Sequence, residues 1–229
     1  NLYSVPYTWG CVGIIYNTKY VTKEVNSWSV MWDEDYSGKI LMFDNPRDAF
    51  GIAQMLLGID VNTTSREDIK TAADKLSAQK ELVQSYVMDQ VFFAMQREEA
   101  WIAPYYAGDY LTMVEENENL AFCYPDEGFN VFVDAMCIPT SAKNKTAAEK
   151  YINFLCEPEI SGQNLEYIGY STPISAAKDY MDEEVAQSEV AYPGDAVLAR
   201  AKIFENLPND TVQYMNSLFN DIKASGSGW

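Results

Sequence analysis

The stretch Lys39-Ile40-Leu41-Met42-Phe43-Asp44-Asn45-Pro46-Arg47-Asp48 decides the fold class. Its first five residues include an apolar run that predicts a buried β-strand. Asp44 and Asn45 can cap a helix, and Pro46 suits the first helical position, where no backbone hydrogen bond is lost. Apolar residues then recur with helical spacing until Gly58, which is expected to end the helix. A strand that leads straight into a helix is typical of α/β proteins.

The same alternation continues along the rest of the chain. Further strands are predicted at 11–16, 82–87, 100–104, 120–124 and 130–138. Further helices are predicted at 27–31, 65–79, 89–97, 108–115, 146–155, 158–168 and 210–224, two of them opened by capping boxes at 64–67 and 146–149. This pattern predicts an α/β fold with a mostly parallel sheet. Ligands of such sheets bind beyond the strands' carboxyl ends, so we expect a site in the loops after Phe43, after Pro104 and around Asp134.

The composition restricts what the protein can bind. The chain has 229 residues, 34 acidic and 16 basic side chains, and no histidine, which gives a formal net charge of −18. Nucleic acids and anionic membranes are unsuitable partners because they require Lys and Arg. The absence of His excludes Ser-His-Asp and Cys-His catalysis. Metal ions, amines or a basic protein face remain as partners, beside the alternative that the acids serve only solubility.

The spacing of the cysteines and the absence of known motifs exclude further classes of protein. Cys11, Cys123, Cys137 and Cys156 form no Cys-x-x-Cys pair, and each lies among apolar neighbours, so we expect buried free thiols. No glycine-rich phosphate loop or calcium loop occurs. We expect no cofactor and assign no residues to a metal site, while a metal ion remains an alternative ligand. No run of 18 apolar residues is present, and the start has neither Met nor a basic stretch. The chain is therefore expected to be a fragment or a processed product.

Acidic and aromatic residues occur together near the predicted loops. Seven acids and no base lie between Trp101 and Cys137, and most are expected to form a solvated face. Asp134 differs because it lies in an apolar run, where a carboxylate needs a partner or a ligand to offset its desolvation. Phe132 shares its strand face, and a ring beside a carboxylate suits an alkylammonium. Structural pairing of Asp134, or a hydrolytic carboxylate pair with Asp48, remain alternatives.

Six stretches carry a resemblance to a known family. They are Val-Pro-Tyr-Thr-Trp-Gly at 5–10, the segment 26–39, the segment 41–48, Pro-Thr-Ser-Ala-Lys-Asn-Lys at 139–145, Tyr-Ile-Asn-Phe-Leu at 151–155 and Ile-Gly-Tyr-Ser-Thr-Pro at 168–173. In this order they resemble the polyamine-binding (spermidine/putrescine) substrate-binding proteins of ABC importers. The resemblance implies an α/β, periplasmic-binding-protein-like fold of type II, with two lobes joined by crossing strands and the first lobe incomplete.

The resemblance also implies how the chain is divided. Residues 1–12 would end a first-lobe segment and cross over, 13–131 would form the second lobe, 132–175 would return to the first lobe, 176–224 would be helices that pack back on the second lobe, and 225–229 would be a flexible tail. Cys11 and Cys137 would then lie on adjacent crossing strands.

A set of ligand positions follows from the same resemblance. They are Asn45, Asp48, Tyr105, Phe132, Asp134, Tyr170 and Glu205. Asp48, Asp134 and Glu205 would hold ammonium groups, and the three rings would face the aliphatic chain of the ligand. Asn45 replaces a family carboxylate, and Tyr105 and Phe132 replace tryptophans.

The function implied is that of a bacterial solute-binding component of an ABC importer, and not of an enzyme. It would act in the periplasm or anchored on the outer face of the cytoplasmic membrane. Its partners would be a polyamine, the permease subunits and the missing first-lobe segment, with no nucleic acid. The alternatives are the same fold with a metal ion or another organic cation, a carboxylate hydrolase, and an acidic domain that docks a basic protein.

Overall fold

Seven strands form one sheet in the computed structural model, which describes residues 3–225. The strands are β1 (Val5–Asn17), β2 (Ile40–Phe43), β3 (Val83–Val87), β4 (Ile102–Tyr106), β5 (Leu120–Cys123), β6 (Phe129–Met136) and β7 (Ala201–Ile203). The α-helices are α1 (Pro46–Leu56), α2 (Arg66–Gln79), α3 (Val91–Gln96), α4 (Ala107–Glu116), α5 (Lys145–Leu155), α6 (Pro158–Ile168), α7 (Glu183–Ala186), α8 (Asp195–Leu198) and α9 (Asn209–Ala224). Short 3-10 helices cover Trp28–Trp32, Glu34–Tyr36 and Ser175–Tyr180.

The long strand β1 joins two halves of the sheet. The sheet order is β3-β2-β4-β1-β6-β7, and β5 also pairs with β1. The first half of β1 pairs with β6, and the second half pairs with β4 and β5. The strands β1 and β6 therefore run side by side through the middle of the molecule as crossing strands.

The prediction of a mostly parallel sheet is wrong. β1 is antiparallel to β4, β5 and β6, whereas β2 is parallel to β3 and β4, and β6 is parallel to β7. A strand buried on both faces has a continuous apolar run in either direction, so hydrophobicity alone does not determine its pairing.

The main core packs beside the second half of β1. Ile14 and Ile15 of this strand are fully buried, together with Phe43 at the end of β2 and Phe50 in α1. Trp28 is also fully buried, and its indole Nε1 donates to a backbone carbonyl 2.8 Å away. The helices α1, α2 and α9 pack against one another on this side of the sheet.

The helix starts test the capping predictions individually. Asn45 caps α1, where its Oδ1 accepts from the Arg47 amide at 2.9 Å, and Pro46 takes the first position as predicted. The cap of α2 is Ser65, whose Oγ accepts from the Asp68 amide at 3.3 Å, one residue later than the predicted box. The box at 146–149 is wrong, because α5 begins at Lys145 without a side-chain cap.

Part of the apolar surface near α5 is uncovered. No residue of α5 is buried, and the side chains of Tyr151 and Phe154 are 62% and 45% exposed. Tyr167 on α6 is 91% exposed. Aromatic side chains at helical spacing normally pack against a partner, so this face is available to another segment or molecule.

The burial of the four thiols agrees only in part with the prediction. Cys11 is buried as predicted, but Cys123 and Cys156 are half-buried, Cys137 is exposed, and all four are free. Cys11 faces Val131, while Val5 faces the residue before Cys137, so the two thiols lie far apart along the paired strands. No helix within residues 3–225 has the length and apolarity needed to cross a membrane. The predicted tail 225–229 lies, beyond its first residue, outside the described residues.

Candidate functional site

Four aromatic rings meet where the crossing strands pass the end of β4. The ring of Tyr106 lies 5.3 Å from Phe132 on β6 and 5.6 Å from Phe43 on β2, and Phe132 lies 6.3 Å from Tyr170. Phe132 rests against Gly10 of β1, where a Cβ atom would come within 2.8 Å of the ring. A larger residue at that position would displace the ring, so the close approach of the two crossing strands shapes this aromatic cluster.

Four carboxylates surround the same cluster. Burial raises the pKa of Tyr106, and the negative charges of Asp48, Asp109, Asp134 and Asp89 raise it further. In the part of the chain that the structure describes, no Lys or Arg forms an ion pair with any of the four. The cluster therefore combines ring faces with excess negative charge, which is an environment that favours a cation.

Asp48 is the most deeply placed of these acids. It lies in the first turn of α1 with 7% of its surface exposed, and burial raises its pKa to about 6, against the opposing charge of Arg47. The Arg47 guanidinium donates to the Val61 carbonyl at 2.6 Å and to Asn62 Oδ1 at 2.7 Å. Within residues 3–225 no hydrogen bond reaches the Asp48 carboxylate, and its oxygens are not fully enclosed, so they can accept from a bound ammonium.

Asp109 and Tyr170 join two different parts of the fold. Tyr170 Oη donates to Asp109 Oδ2 at 3.0 Å. Burial raises the pKa of Asp109 to about 6, while the Tyr170 hydrogen bond lowers it and the charge of Asp89 raises it. Asp109 is thus a partly desolvated carboxylate with one oxygen engaged, and its remaining lone pairs can accept from a ligand.

Asp134 is held at the surface by the neighbouring crossing strand. Thr8 on β1 lies opposite Asp134 on β6, and Thr8 Oγ1 donates to Asp134 Oδ2 at 2.9 Å. Asp134 is exposed, so the expectation that it is desolvated by its apolar run is wrong. The Thr8 hydroxyl holds this exposed carboxylate in one orientation.

The remaining predicted positions lie outside the ring surface. Tyr105 is 3% exposed, stacks on Phe43 at 5.6 Å and donates to Asp89 Oδ1 at 3.3 Å, so it packs behind the cluster. Asn45 uses its side-chain oxygen to cap α1. Glu205 is exposed and donates its backbone amide to Asn62 Oδ1 at 2.9 Å; no described contact links its side chain to the rings.

Four residues of the cluster were not among the predicted site positions: Phe43, Asp89, Tyr106 and Asp109. In β4 neighbouring side chains alternate between faces, so only one of Tyr105 and Tyr106 can face Phe132, and the sequence does not say which. Asp109 is three residues beyond Tyr106 in the first turn of α4, a spacing that a search for strand-end carboxylates could have found. Its role becomes visible only through Tyr170, which lies 61 residues further along the chain.

Crossing antiparallel strands, flanking helices and a cluster of rings and carboxylates at the crossing are typical of periplasmic-binding-protein-like domains. The profile of the family described as "Bacterial extracellular solute-binding protein" matches residues 1–199, and the chain belongs to that family. The family is one of solute-binding proteins and not of enzymes.

The chain is similar to curated proteins and to solved structures. A "Spermidine/putrescine-binding periplasmic protein" of Salmonella typhimurium is 30% identical over 98% of this chain and 64% of its own length. The Escherichia coli protein of the same name is 34% identical over 84% of this chain and 56% of its own length. A solved structure named "Putative spermidine/putrescine ABC transporter", from Listeria monocytogenes, is 34% identical and covers 96% of this chain and 69% of that chain, with a TM-score of 0.91. The chain thus spans less than two thirds of the length of these two curated relatives.

Proposed function

We propose that this chain provides the greater part of a polyamine-binding protein of an ABC importer, acting outside the bacterial cytoplasmic membrane with permease subunits. The observation that carries the proposal is the Tyr106 cluster, where four carboxylates without ion-pair partners among the described residues surround contiguous ring faces. The names of the related proteins from Salmonella typhimurium and Escherichia coli support spermidine or putrescine as the ligand.

The chemistry of the cluster favours an organic cation over a metal ion. Among the described residues, no group of three His, Cys, Asp or Glu side chains is arranged to hold a metal. The acids are instead accompanied by rings, as the hydrogen bonds of Tyr105 to Asp89 and of Tyr170 to Asp109 show. A ring face attracts an alkylammonium by roughly 0.5–2 kcal/mol. A charge-assisted hydrogen bond to a carboxylate adds about 1.5–3 kcal/mol. A flexible diamine or triamine can use both kinds of contact at once.

We assign roles on this basis. Asp48 and Asp134 hold ammonium groups, and Asp109 provides a further carboxylate in the same cluster. Phe132 and Tyr170 cover the aliphatic chain of the ligand. Tyr106 provides the third ring face, the role that the sequence analysis gave to Tyr105. The placement of the charges and rings in the cluster supports these roles.

Asn45 and Glu205 are proposed for the edge of the site. Asn45 precedes the helix that carries Asp48, but its side-chain oxygen already accepts from the Arg47 amide, which leaves its NH₂ group for a ligand. Glu205 follows β7, and its backbone amide donates to Asn62 Oδ1, which also accepts from the Arg47 guanidinium. Its exposed carboxylate would reach a second ammonium only when the ligand extends toward this end of the cluster.

A further segment of the same gene product is proposed to complete the other wall of the cleft. A groove of about 550 Å³ lies between the first half of β1 and α5, with Val5, Met136, Ile138 and Ile152 among its lining residues. Next to it, α5 leaves Tyr151 and Phe154 exposed. If such a segment covers this face, the amides of α5 exchange with deuterium much more slowly in the full-length gene product than in residues 1–229 alone. Equal exchange in the two proteins would contradict this part of the proposal.

Calorimetry on the full-length gene product tests the ligand. Spermidine and putrescine are titrated into the wild type, into Asp134→Ala and into the matched control Asp44→Ala. Asp44 is an exposed acid that pairs with Lys223, and it belongs to no ring contact of the cluster. We expect binding to the wild type and the control, and at least tenfold weaker binding to Asp134→Ala. No heat with either amine, or an unaffected Asp134→Ala protein, would refute the proposal.

A further inference from the structure

Two glycine backbones meet beside the hydrogen bond between Tyr170 and Asp109. A Cβ atom on Gly108 would lie 2.8 Å from the Gly169 carbonyl oxygen and 2.7 Å from Cδ2 of the Tyr170 ring. A Cβ atom on Gly169 would lie 2.9 Å from the Gly108 carbonyl oxygen. Neither position can accept a side chain without a shift of backbone on the opposite side.

The two glycines belong to parts of the fold that pack on different halves of β1. Gly108 lies at the start of α4, directly after β4, which pairs with the second half of β1. Gly169 ends α6, and the carbonyl of Ser171, two residues later, accepts from the Trp9 amide in the first half of β1 at 3.0 Å. The contact therefore spans the region where the crossing strands separate the two halves.

The local reasons for glycine differ at the two positions. Gly169 has φ +76, the left-handed conformation that commonly ends a helix and favours glycine. Gly108 lies inside the first turn of α4, has no positive φ, and would be replaced by alanine with a gain in helix propensity. Local structure thus gives no reason for glycine at 108, and only the approach of Gly169 and Tyr170 requires it.

We infer that the Gly108–Gly169 contact, which joins the two halves of the fold, positions Tyr170 against Asp109. This inference rests on the proposed function, because the position of Tyr170 affects binding only if a ligand occupies the Tyr106 cluster. An added methyl group would separate the two backbones by roughly half an ångström, since atoms in contact prefer about 3.5–4 Å. The 3.0 Å hydrogen bond would lengthen toward the limit of a useful bond, and the Tyr170 ring would withdraw from Phe132.

The test compares Gly108→Ala with the matched control Gly194→Ala in the full-length gene product. A methyl group on Gly194 would have no neighbouring atom within 4 Å, and this glycine precedes the short helix α8. We expect Gly108→Ala to stay folded at the assay temperature, because a small separation of the two backbones relieves the clash, and to bind putrescine or spermidine at least tenfold more weakly. Gly194→Ala should match the wild type. Adding Tyr170→Phe to Gly108→Ala should cause little further loss, because both changes act through one contact.

A second readout does not depend on any ligand. Hydrogen exchange of the amides at 169–172 should be faster in Gly108→Ala than in Gly194→Ala. If the wild type binds an amine and both glycine variants bind it equally well, the inference is overturned while the proposed function stands. If the wild type binds no amine, the proposed function fails. Unchanged hydrogen exchange at 169–172 in Gly108→Ala would then also refute the positioning role of the Gly108–Gly169 contact.

Discussion

Replacing Asp48 by asparagine should stabilise the ligand-free protein and at the same time impair ligand binding. The residue Asp48 is 7% exposed, and within residues 3–225 no hydrogen bond reaches its carboxylate. Its pKa rises from 3.8 to about 6 because burial penalises the charged form. A folded-state pKa above the unfolded value means that stability falls as the pH rises from about 4 through about 6, and at pH 7 the full cost is present.

The size of the effect follows from the same pKa. A rise from 3.8 to about 6 corresponds to about 3 kcal/mol of destabilisation by the ionised Asp48. Asparagine removes this cost but also loses the favourable interaction of an acid with the helix N-terminus, about 0.3–1 kcal/mol. Smaller losses in packing and hydrogen bonding leave an expected gain of about 1–2 kcal/mol. For a chain of this size the Tm should increase by roughly 2–8 °C.

The assay is thermal unfolding at pH 7 of protein stripped of bound ligand, followed by calorimetry with spermidine and putrescine. The control is Asp44→Asn, at a surface acid that pairs with Lys223 and should change stability by less than about 1 kcal/mol. Asp48→Asn should melt higher than the wild type and bind at least tenfold more weakly. A lower Tm together with unchanged affinity would show that Asp48 is a structural acid with a partner, which would refute the reasoning.

The other predictions concern pH, orientation and the core. The pKa values of Asp48 and Asp109 are both raised to about 6, so amine affinity should be constant above pH 7 and fall below pH 6. The fall should reach up to about tenfold per pH unit for each linked carboxyl. Calorimetry between pH 5 and 8 checks this dependence, and a flat profile would contradict it. Thr8→Val should weaken amine binding about three- to tenfold because Asp134 loses the hydroxyl that orients it; unchanged affinity would count against that role. Trp28→Phe should cost about 2–4 kcal/mol in urea unfolding, because a buried carbonyl loses its donor and a cavity forms; a loss under about 0.5 kcal/mol would disagree.

Local features of the fold were predictable from the sequence, because their causes lie within a few residues. The passage from β2 into α1 follows from an apolar run, the Asn45 cap and Pro46, and the structure has all three as predicted. The α6 bounds, Pro158–Ile168, also agree with the prediction. Strand direction was not predictable in this way, because the partners of β1 come from segments more than 85 residues further along the chain.

The site shows the same division between local and distant causes. Phe132 and Asp134 were placed on one strand face by simple alternation, and the structure brings Phe132 against Tyr106. The burial of Asp134 was misjudged because its apolar neighbours indicate an interior strand, while this end of β6 is exposed. Asp109 and its bond to Tyr170 depend on how α4 meets the end of α6, which no local pattern encodes.

The central claim is that the cluster around Tyr106 selects its ligand by positive charge. Calorimetry of the full-length protein at pH 7.5 with putrescine and with 1,4-butanediol tests it directly, because the two molecules share a four-carbon chain and differ in their ammonium and hydroxyl ends. The account predicts that putrescine binds at micromolar concentration or below, that the diol gives no measurable heat, and that the Asp48→Asn/Asp134→Asn protein loses the putrescine signal. Equal binding of the two compounds, or undiminished putrescine binding by the double variant, would contradict it.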